Sequence, residues 1–463
     1  MSAVLRTISP VDGSLYAERP CTTDQELDGA LARARAAQRA WRSMPLANRA
    51  ALLRRFCAHF EQHREAMALE LSWQIGRPAR VAPNEINSTV ERARFMIGAA
   101  AEALADIEAI DKPGFLRFVR REPLGVVFVV AAWNYPYLIT VNSVIPALMA
   151  GNAVLLKHSA QTPLCGERFA QSLAAAGLPD GLFQVVHLTH EATAKTLQDP
   201  RVDFVFYTGS VAGGHAVQAG LARRFIGAGL ELGGCDPVYV RHDADLAHAI
   251  ENIVDGAYFN SGQSCCGLQR IYVHHRLYDD FVEGFVALTR RYVLGNPLET
   301  GTTLGPVVRT SAADEIRARI AACVAAGAQP AIDERHFPAS RAGTPYLAPQ
   351  ALLQVDHSMP VMREEIFGPV AGIMAVRSDE AALALMNDSR YGLTAAIWTR
   401  DTEAALRLGE GIETGTWFMN RCDYLDPALA WVGIKDSGRG CSLSRVGYEQ
   451  LTRPKSFHLR VQT

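Results

Sequence analysis

Hydrophobic positions follow helical spacing in the first part of the chain and change their pattern after about residue 110. Apolar residues recurring every three or four positions predict helices at 23–42, 45–75 and 84–104. Thr23 and Glu26 form a capping-box pattern that is expected to begin the first helix. Gly76 is expected to end the second helix.

Further along, short apolar runs alternate with helical segments in two successive series. Strands are predicted at 115–122, 125–131, 153–157, 183–186, 202–207, 238–241 and 270–274, and helices at 136–149, from 163, near 191–197, 246–259 and 277–292. This alternation is typical of βαβ units and predicts the α/β class with two doubly wound domains. In such sheets ligands bind at the carboxyl ends of the strands.

Two segments, 115–122 and 456–461, alternate apolar and polar residues and read as exposed strands. We predict that they pair with each other. Because a monomer would leave unpaired strand edges there, these arms point to a homodimer or homotetramer.

The composition excludes several classes of protein. The 463 residues carry 46 Lys and Arg against 48 Asp and Glu, a formal charge of -2, so nothing predicts a nucleic-acid partner. The longest apolar run, 125–133, is far shorter than the ~20 residues of a membrane span, and residues 1–10 lack a signal-peptide core. The nine cysteines show neither a CxxC pair nor zinc-site spacing, which predicts free thiols, no metal and a cytoplasmic location.

Four local patterns carry candidate chemistry, and each has a purely structural alternative. The turn at 207–214 precedes a helix whose free N–H groups suit a phosphate, or it is a simple tight turn. Cys265, in the Gly- and Ser-rich stretch 259–267, is a candidate nucleophile, or half of a chance Cys-Cys doublet. Glu231 stands before two glycines and suits a general base, or a surface carboxylate. Asn134 follows a buried strand and suits an oxyanion donor, or an Asx turn.

Taken together and in order, these patterns resemble the aldehyde dehydrogenase superfamily, of the NAD(P)-dependent, non-acylating kind. The matching blocks are VRREPLGVV at 119–127, WNYP at 133–136, GNAVLLK at 151–157, YTGS at 207–210, LELGG at 230–234, GQSC at 262–265, EEIFGPV at 364–370, YGLTAAIWT at 391–399 and GIKDSGRG at 433–440. The resemblance extends over nearly the whole chain.

The resemblance implies an enzyme that oxidises an aldehyde to the carboxylic acid. Cys265 is implied as the nucleophile that forms a thiohemiacetal and then a thioester. The side chain of Asn134 and the backbone N–H of Cys265 are implied as the oxyanion hole, and Glu231 as the base that activates water.

The implied cofactor is NAD or NADP. Its implied contacts are Trp133, Lys157, Ser159, Ala160, Gly209, Ser210, Gly214, Leu232, Glu365 and Phe367. Ala160 stands where the family commonly has a glutamate that binds the ribose hydroxyls and repels a 2′-phosphate, so we expect NADP to be tolerated. Cys235 stands in place of a usual lysine. Cys441 and Ser442 stand near the position of a usual glutamate, and the loss of that glutamate affects only an auxiliary proton relay.

By motif position, seven residues are implied to form the substrate tunnel. They are Tyr135, Ile139, Asn142, Phe259, Ser264, Cys266 and Trp431. This set contains no arginine, which disfavours carboxylate-bearing aldehydes and favours an apolar or aromatic aldehyde. The alternative is a betaine or amino-aldehyde held in an aromatic cage. The loop that carries Arg421, Asp423 and Tyr424 could change either argument.

The resemblance also implies a domain division. Residues 1–111 and 126–234 are expected to form the NAD(P)-binding domain, 235–449 the catalytic domain, and 112–125 with 450–463 the oligomerisation arms. Two functions outside this class are kept as alternatives: a cysteine esterase or hydrolase that needs no cofactor, and a catalytically inactive binding protein on the same scaffold.

Overall fold

The structure, a computed structural model, describes residues 3–462. Its strands are β1 (Val4–Ile8), β2 (Leu15–Pro20), β3 (Ile107–Glu108), β4 (Phe115–Pro123), β5 (Val126–Val130), β6 (Ala153–Lys157), β7 (Phe183–Val185), β8 (Phe204–Thr208), β9 (Gly227–Glu231), β10 (Asp236–Val240), β11 (Leu268–His274), β12 (Gln329–Pro330), β13 (Gln350–Leu353), β14 (Val370–Val376), β15 (Tyr391–Gly392), β16 (Thr394–Trp398), β17 (Thr416–Met419), β18 (Ile434–Lys435), β19 (Gly438–Arg439) and β20 (Thr452–Arg460).

The helices surround and connect these strands. They are α1 (Asp24–Trp41), α2 (Leu46–Gln62), α3 (Arg64–Ile75), α4 (Ala82–Ala103), α5 (Pro136–Met149), α6 (Pro163–Ala175), α7 (His190–Gln198), α8 (Val211–Leu221), α9 (Leu246–Tyr258), α10 (Tyr278–Thr289), α11 (Thr310–Ala325), α12 (Pro360–Arg363), α13 (Asp379–Asn387) and α14 (Thr402–Gly411). Short 3-10 turns lie at Phe259–Gly262, Glu334–His336 and Val446–Leu451.

The first large sheet has the strand order β19-β9-β8-β5-β6-β7. All neighbours are parallel except β19, which runs antiparallel to β9. The chain moves outward from β5 through β6 to β7 and then returns to place β8 on the other side of β5. The strand order therefore reverses between β5 and β8, and their carboxyl ends flank a crevice of the kind that binds ligands.

The second large sheet has the order β12-β13-β14-β11-β10-β16-β17 and is parallel except for β12. Its strands β10 and β11 are buried along their whole length, as expected for a parallel sheet covered on both faces. The predicted α/β class with two parallel sheets is confirmed.

The helical beginning differs from the prediction in one place. The helix predicted at 45–75 is broken at His63, where φ is −102° and ψ is 10°, so that α2 and α3 are separate helices. The apolar stripe continues across the break, which explains why periodicity alone did not reveal it. The capping box at Thr23 and the left-handed Gly76 (φ 79°) are both present as predicted, whereas the hairpin of β1 and β2 was not predicted.

The two alternating segments pair as predicted. Strands β4 and β20 run antiparallel over nine residue pairs, from Thr452 opposite Pro123 to Arg460 opposite Phe115. The rings of Phe118 and Phe457 stack across the pair, with centroids 4.6 Å apart. Strand β3 adds to the other edge of β4, giving a small antiparallel sheet apart from the two large ones.

The predicted domain boundaries remain a prediction. Some residues after 430 pack with the first sheet rather than the second: Trp431, Tyr448 and Leu451 belong to the same buried cluster as β5 and β6. The hydroxyl of Tyr448 donates to the carbonyl of Met96 on α4 (2.7 Å). The chain thus returns to the first domain before it enters β20.

The structure bears on three further features: the state of the cysteines, metal-ligand clusters and membrane-spanning helices. All nine cysteines are free thiols. Within residues 3–462, no His, Cys, Asp and Glu side chains are grouped as a metal would require. In the same range no helix has the length and apolar character to cross a membrane.

Candidate active site

The loop that follows α9 holds Cys265 in an unusual backbone conformation. Asn260, Ser261 and Gly262 all have positive φ (53°, 56° and 69°). Gly262 lies so close to the carbonyl of Gly368 that a side chain there would collide with backbone. Gln263 fixes the next residue, because its side chain donates to the carbonyl of Asn260 (3.0 Å) and accepts from the N–H of Val308 (2.7 Å). Cys265 is consequently half-buried on a rigid turn.

A buried ion pair between Arg77 and Glu85 holds the neighbouring side of the site. Arg77 donates to the carbonyl of Asn134 (2.7 Å) and to the side chain of Asn260 (3.1 Å). Glu85 accepts from the N–H of Tyr137 (2.8 Å) at the beginning of α5, where the positive end of the helix dipole favours a carboxylate. The pair fixes the turn between β5 and α5 against the Cys265 loop.

Asn134 lies in that turn, at the carboxyl end of β5, and is 5% exposed. Its side-chain N–H donates to the carbonyl of Gln263 (3.2 Å). The amide of Asn134 is therefore directed toward the loop of Cys265, and its second N–H remains for a group that enters the cavity.

Glu231 is the last residue of β9, and two hydroxyl groups hold its carboxylate. Ser442 donates to one oxygen (2.5 Å) and Thr208 to the other (3.2 Å). Burial raises the pKa of Glu231 above its ordinary value, and the two hydroxyls together with the charge of Arg92 act in the opposite direction. A carboxylate with a raised pKa in a water-poor site is well suited to general base chemistry.

Two cavities meet at five residues that line both of them: Asn134, Thr208, Glu231, Leu232 and Cys265. One, of about 320 Å³, lies at the strand reversal between β5 and β8. Six of the ten residues predicted to contact the cofactor line it: Trp133, Gly209, Ser210, Leu232, Glu365 and Phe367.

The walls of this first cavity have a specific construction. The rings of Trp133 and Phe367 meet edge to face, with centroids 5.6 Å apart. Ser210 caps α8 by accepting from the N–H of Gly213 (3.2 Å), at a helix end that suits a phosphate. The carboxylate of Glu365 accepts from the N–H of Gly234 (3.1 Å), and burial raises its pKa to about 7.

The other four predicted cofactor residues lie outside this cavity. Lys157, Ser159 and Ala160 stand at the carboxyl end of β6, which is the strand next to β5. Burial lowers the pKa of Lys157, and its ammonium group forms no ion pair with a carboxylate of residues 3–462. Gly214 lies within α8 and packs against Leu232, which is a structural contact rather than one to the cavity.

The second cavity, of about 280 Å³, lies on the opposite side of Cys265. All seven residues predicted for the substrate tunnel line it: Tyr135, Ile139, Asn142, Phe259, Ser264, Cys266 and Trp431. The rings of Tyr135 and Phe259 are stacked.

Charged groups that sequence reasoning did not place also line this second cavity. Arg77 and Arg92 are both in its wall, so the cavity contains arginine although the seven predicted residues do not. Sequence reasoning missed both arginines because they come from the helical beginning of the chain, outside the motifs. Asp423 accepts from Cys266 (2.8 Å) and Ser264 (3.2 Å), and burial raises its pKa to about 6.

Comparisons with known proteins identify the family of the chain. The sequence profile described as "Aldehyde dehydrogenase family" matches residues 2–457. The chain belongs to the aldehyde dehydrogenase family. The prediction of an NAD(P)-dependent enzyme of this class is thereby confirmed, and aldehyde oxidation is its chemistry.

Two relatives and one solved structure illustrate the match. The 3,6-anhydro-alpha-L-galactose dehydrogenase of Streptomyces coelicolor is 34% identical and covers 98% of this chain and 93% of its own length. Succinate-semialdehyde dehydrogenase (NADP+) 1 of Mycobacterium tuberculosis is 32% identical, with 98% and 99% covered. The structure of succinic semialdehyde dehydrogenase from Streptococcus pyogenes with NADP+ superposes with a TM-score of 0.94, at 26% identity and 98% and 100% coverage.

Replacing Ser442 tests how the carboxylate of this aldehyde dehydrogenase is tuned. In Ser442→Ala one hydroxyl that stabilises the charged form of Glu231 is lost, so its pKa rises further. The acidic limb of the kcat against pH profile is expected to shift to higher pH, and activity is lost first at low pH. Ser442→Thr keeps the hydroxyl and serves as the control; an unchanged profile in Ser442→Ala would contradict the assignment.

Proposed function

We propose that this aldehyde dehydrogenase uses Cys265 as its nucleophile, Asn134 as an oxyanion donor and Glu231 as its general base. The observation that carries the proposal is the meeting of two cavities at these three residues. One cavity lies at the strand reversal that suits a dinucleotide, and the other presents an apolar and aromatic wall to the same thiol.

In the first step the sulfur of Cys265, as thiolate, attacks the aldehyde carbon. A carbon–sulfur bond forms and the carbonyl electrons move to the oxygen, giving a thiohemiacetal. The free N–H of Asn134 and the backbone N–H of Cys265 stabilise the developing negative charge. Because Arg77 and Gln263 fix both donors before substrate binds, little reorganisation is needed.

Trp133, Ser210 and Glu365 would hold a nicotinamide dinucleotide, which would supply the oxidation by taking up a hydride from the carbon attached to Cys265 and so leave a thioester. Glu231 then takes a proton from a water molecule that attacks the thioester carbon. The carbon–sulfur bond breaks, the carboxylic acid leaves, and the thiolate of Cys265 is restored. Burial raises the pKa of Glu231, which strengthens it as a base.

The residues around the first cavity fit a nicotinamide dinucleotide. Trp133 and Phe367 offer aromatic faces and edges, and the capped end of α8 offers backbone N–H groups. Lys157 has no carboxylate to neutralise it, and Ala160 adds no negative charge nearby. An additional 2′-phosphate is therefore accepted, and we propose that NADP serves at least as well as NAD.

For the substrate, the aromatic wall of Tyr135, Phe259 and Trp431 supports an aldehyde with an apolar or aromatic part beside the carbonyl. A cationic amino-aldehyde is the second candidate, because Asp423 places a carboxylate in the same wall. Both donors to Asp423 are neutral groups, so its charge is not cancelled by them.

Two variants separate the acylation half of the reaction from the hydrolysis half. Cys265→Ala is expected to abolish formation of reduced cofactor, because no thiohemiacetal can form. Glu231→Gln is expected to keep a single burst of reduced cofactor, about one per active site, and then to turn over roughly 10²–10⁴ times more slowly, the range for loss of a general base. Stopped-flow absorbance of the reduced cofactor measures both.

A burst in Cys265→Ala, or full turnover in Glu231→Gln, would disprove the assigned roles. The same assay with an activated ester and no cofactor tests the alternative of a cysteine hydrolase. Ester cleavage without any aldehyde oxidation would favour that alternative.

Restoring a carboxylate beside the adenosine ribose tests the cofactor proposal. Ala160→Glu is expected to lower kcat/KM for NADP at least about tenfold, since facing like charges costs several kcal/mol. Its kcat/KM for NAD should not fall. Ala160→Gln has nearly the same shape without the charge and is the matched control. An equal loss in both variants would show a steric effect instead.

We also propose that the sheet of β3, β4 and β20 mediates assembly into a dimer or tetramer. Leu116 and Leu459 on its strands and Ile107 at its edge are exposed apolar residues, and a partner copy would cover them. Size-exclusion chromatography with light scattering is expected to give two or four copies. A monomer at micromolar concentration would contradict the proposal.

A further inference from the structure

We propose that Arg92 binds a negatively charged group at the end of the substrate remote from the aldehyde. The inference rests on the proposed function and specifies its substrate class: an aldehyde that also carries a carboxylate. Arg92 would then be the residue that makes this enzyme select an anionic substrate.

Arg92 is buried in the wall of the cavity that contains Cys265. It projects from α4, is 7% exposed, and lines the cavity opposite the dinucleotide side. Of its five N–H donors, one is used: Nη1 donates to the side-chain oxygen of Asn142 (3.2 Å). None of its nitrogens is both fully buried and without a hydrogen-bond partner. The remaining donors are therefore accessible from the cavity that Arg92 lines.

Other arginines near Arg92 are neutralised by the protein itself, whereas Arg92 is not. Arg77 is paired with Glu85 in the interior, and Arg94, two residues further along α4, is paired with Glu61 at the surface. Within residues 3–462 Arg92 forms no ion pair. Burial lowers the pKa of Arg92, and Glu231 and Glu85 oppose this only through space, without a direct ion pair. A buried guanidinium with no direct counter-ion is costly, because these charges replace its lost hydration only in part. A carboxylate on the substrate compensates that cost.

The other charged groups of this cavity are already engaged or exposed. Glu85 is held by Arg77 and by backbone N–H groups of α5. Asp423 accepts from Ser264 and Cys266. Glu231 accepts from Thr208 and Ser442, and Glu91 and Asp255 are exposed to solvent. Arg92 is therefore the group with the most unused hydrogen-bonding capacity in this wall, and it favours an anionic substrate over the cationic candidate.

The planar fork of a guanidinium matches a carboxylate with two parallel hydrogen bonds. Asn142 leaves that fork open, since it accepts a single bond from one end of it. The aromatic residues nearer Cys265 then contact the apolar middle of the substrate. The predicted substrate is an aldehyde with a short apolar segment and a terminal carboxylate.

Paired aldehydes that differ only in charge test the inference. The probes are succinic semialdehyde against its neutral amide and 4-aminobutanal, and 4-formylbenzoate against 4-formylbenzamide. The wild type is expected to show the highest kcat/KM for the anionic member of each set. Arg92→Gln should lower the ratio of kcat/KM for the anionic member to that for its neutral amide at least about tenfold, the loss of one charge-assisted hydrogen bond. Because Arg92 also acts on the pKa of Glu231, both members are compared at a pH above the acidic limb of each enzyme's profile.

Three further measurements separate recognition from a structural effect. Arg92→Lys keeps the charge without the fork and should lie between the wild type and Arg92→Gln. Arg94→Gln removes an arginine from the exposed face of the same helix and should behave as the wild type. Calorimetric binding of succinate or terephthalate, the dicarboxylate products, should weaken in Arg92→Gln without requiring turnover.

The inference is overturned if the neutral or cationic member of each set is the best substrate of the wild type. It is also overturned if Arg92→Gln loses activity equally on all members, since that is the result of a structural role. If no aldehyde is oxidised while the dicarboxylates still bind through Arg92, the proposed reaction fails and the anion site stands. If neutral aldehydes are oxidised and the dicarboxylates do not bind, the reaction stands and the anion site fails.

Discussion

The buried ion pair of Arg77 and Glu85 is the interaction on which the geometry of the site depends. Taking two charges out of water is expensive and is repaid only where the remaining hydrogen-bonding groups are also satisfied. Here Glu85 receives the first N–H groups of α5, and Arg77 donates to the carbonyl of Asn134 and to Asn260. The same pair thus joins the first domain to the loop of Cys265. Removing Arg77 or Glu85 would leave the other charge buried without a partner. The turn between β5 and α5 and the Cys265 loop would both be displaced, because the pair holds both.

In the three buried carboxyl groups of the site, the effect of burial on the pKa is opposed by hydrogen bonds. Burial raises the pKa of Glu231, of Glu365 (to about 7) and of Asp423 (to about 6), and hydrogen bonds limit each of these shifts. The shift of Glu231 is limited by two hydroxyl groups and, through space, by the charge of Arg92. The hydroxyls stabilise the carboxylate without a direct ion pair. A water molecule can therefore compete for the same oxygen atoms when hydrolysis requires it.

Sequence reasoning worked where the signal is local or repeated. Buried parallel strands and the end of α3 at Gly76 follow from patterns within a few residues. The shared alternation of two distant segments was enough to predict that β4 pairs with β20. Sequence reasoning failed where single side chains with no local pattern make contacts between distant segments. Arg77 and Glu85 lie in the helical beginning of the chain, with no motif to mark them, and act on residues far away in sequence. Ser442 was noticed only as part of a departure from the family pattern, and its bond to Glu231 required the fold.

Substrate selectivity shows the same limit most clearly. The walls of the tunnel come from α4, α5, the Cys265 loop and the loop before Trp431. A cationic side chain in the tunnel can therefore belong to any of these four segments. Asn142 on α5 carries no charge, but its side chain accepts a hydrogen bond from Arg92 on α4. Position-by-position comparison along α5 finds an amide and infers a neutral tunnel. The fold places the guanidinium of Arg92 beside that amide in the wall of the cavity. The charge that the substrate contacts is therefore set by the packing of α4 against α5 and not by the residues of one helix.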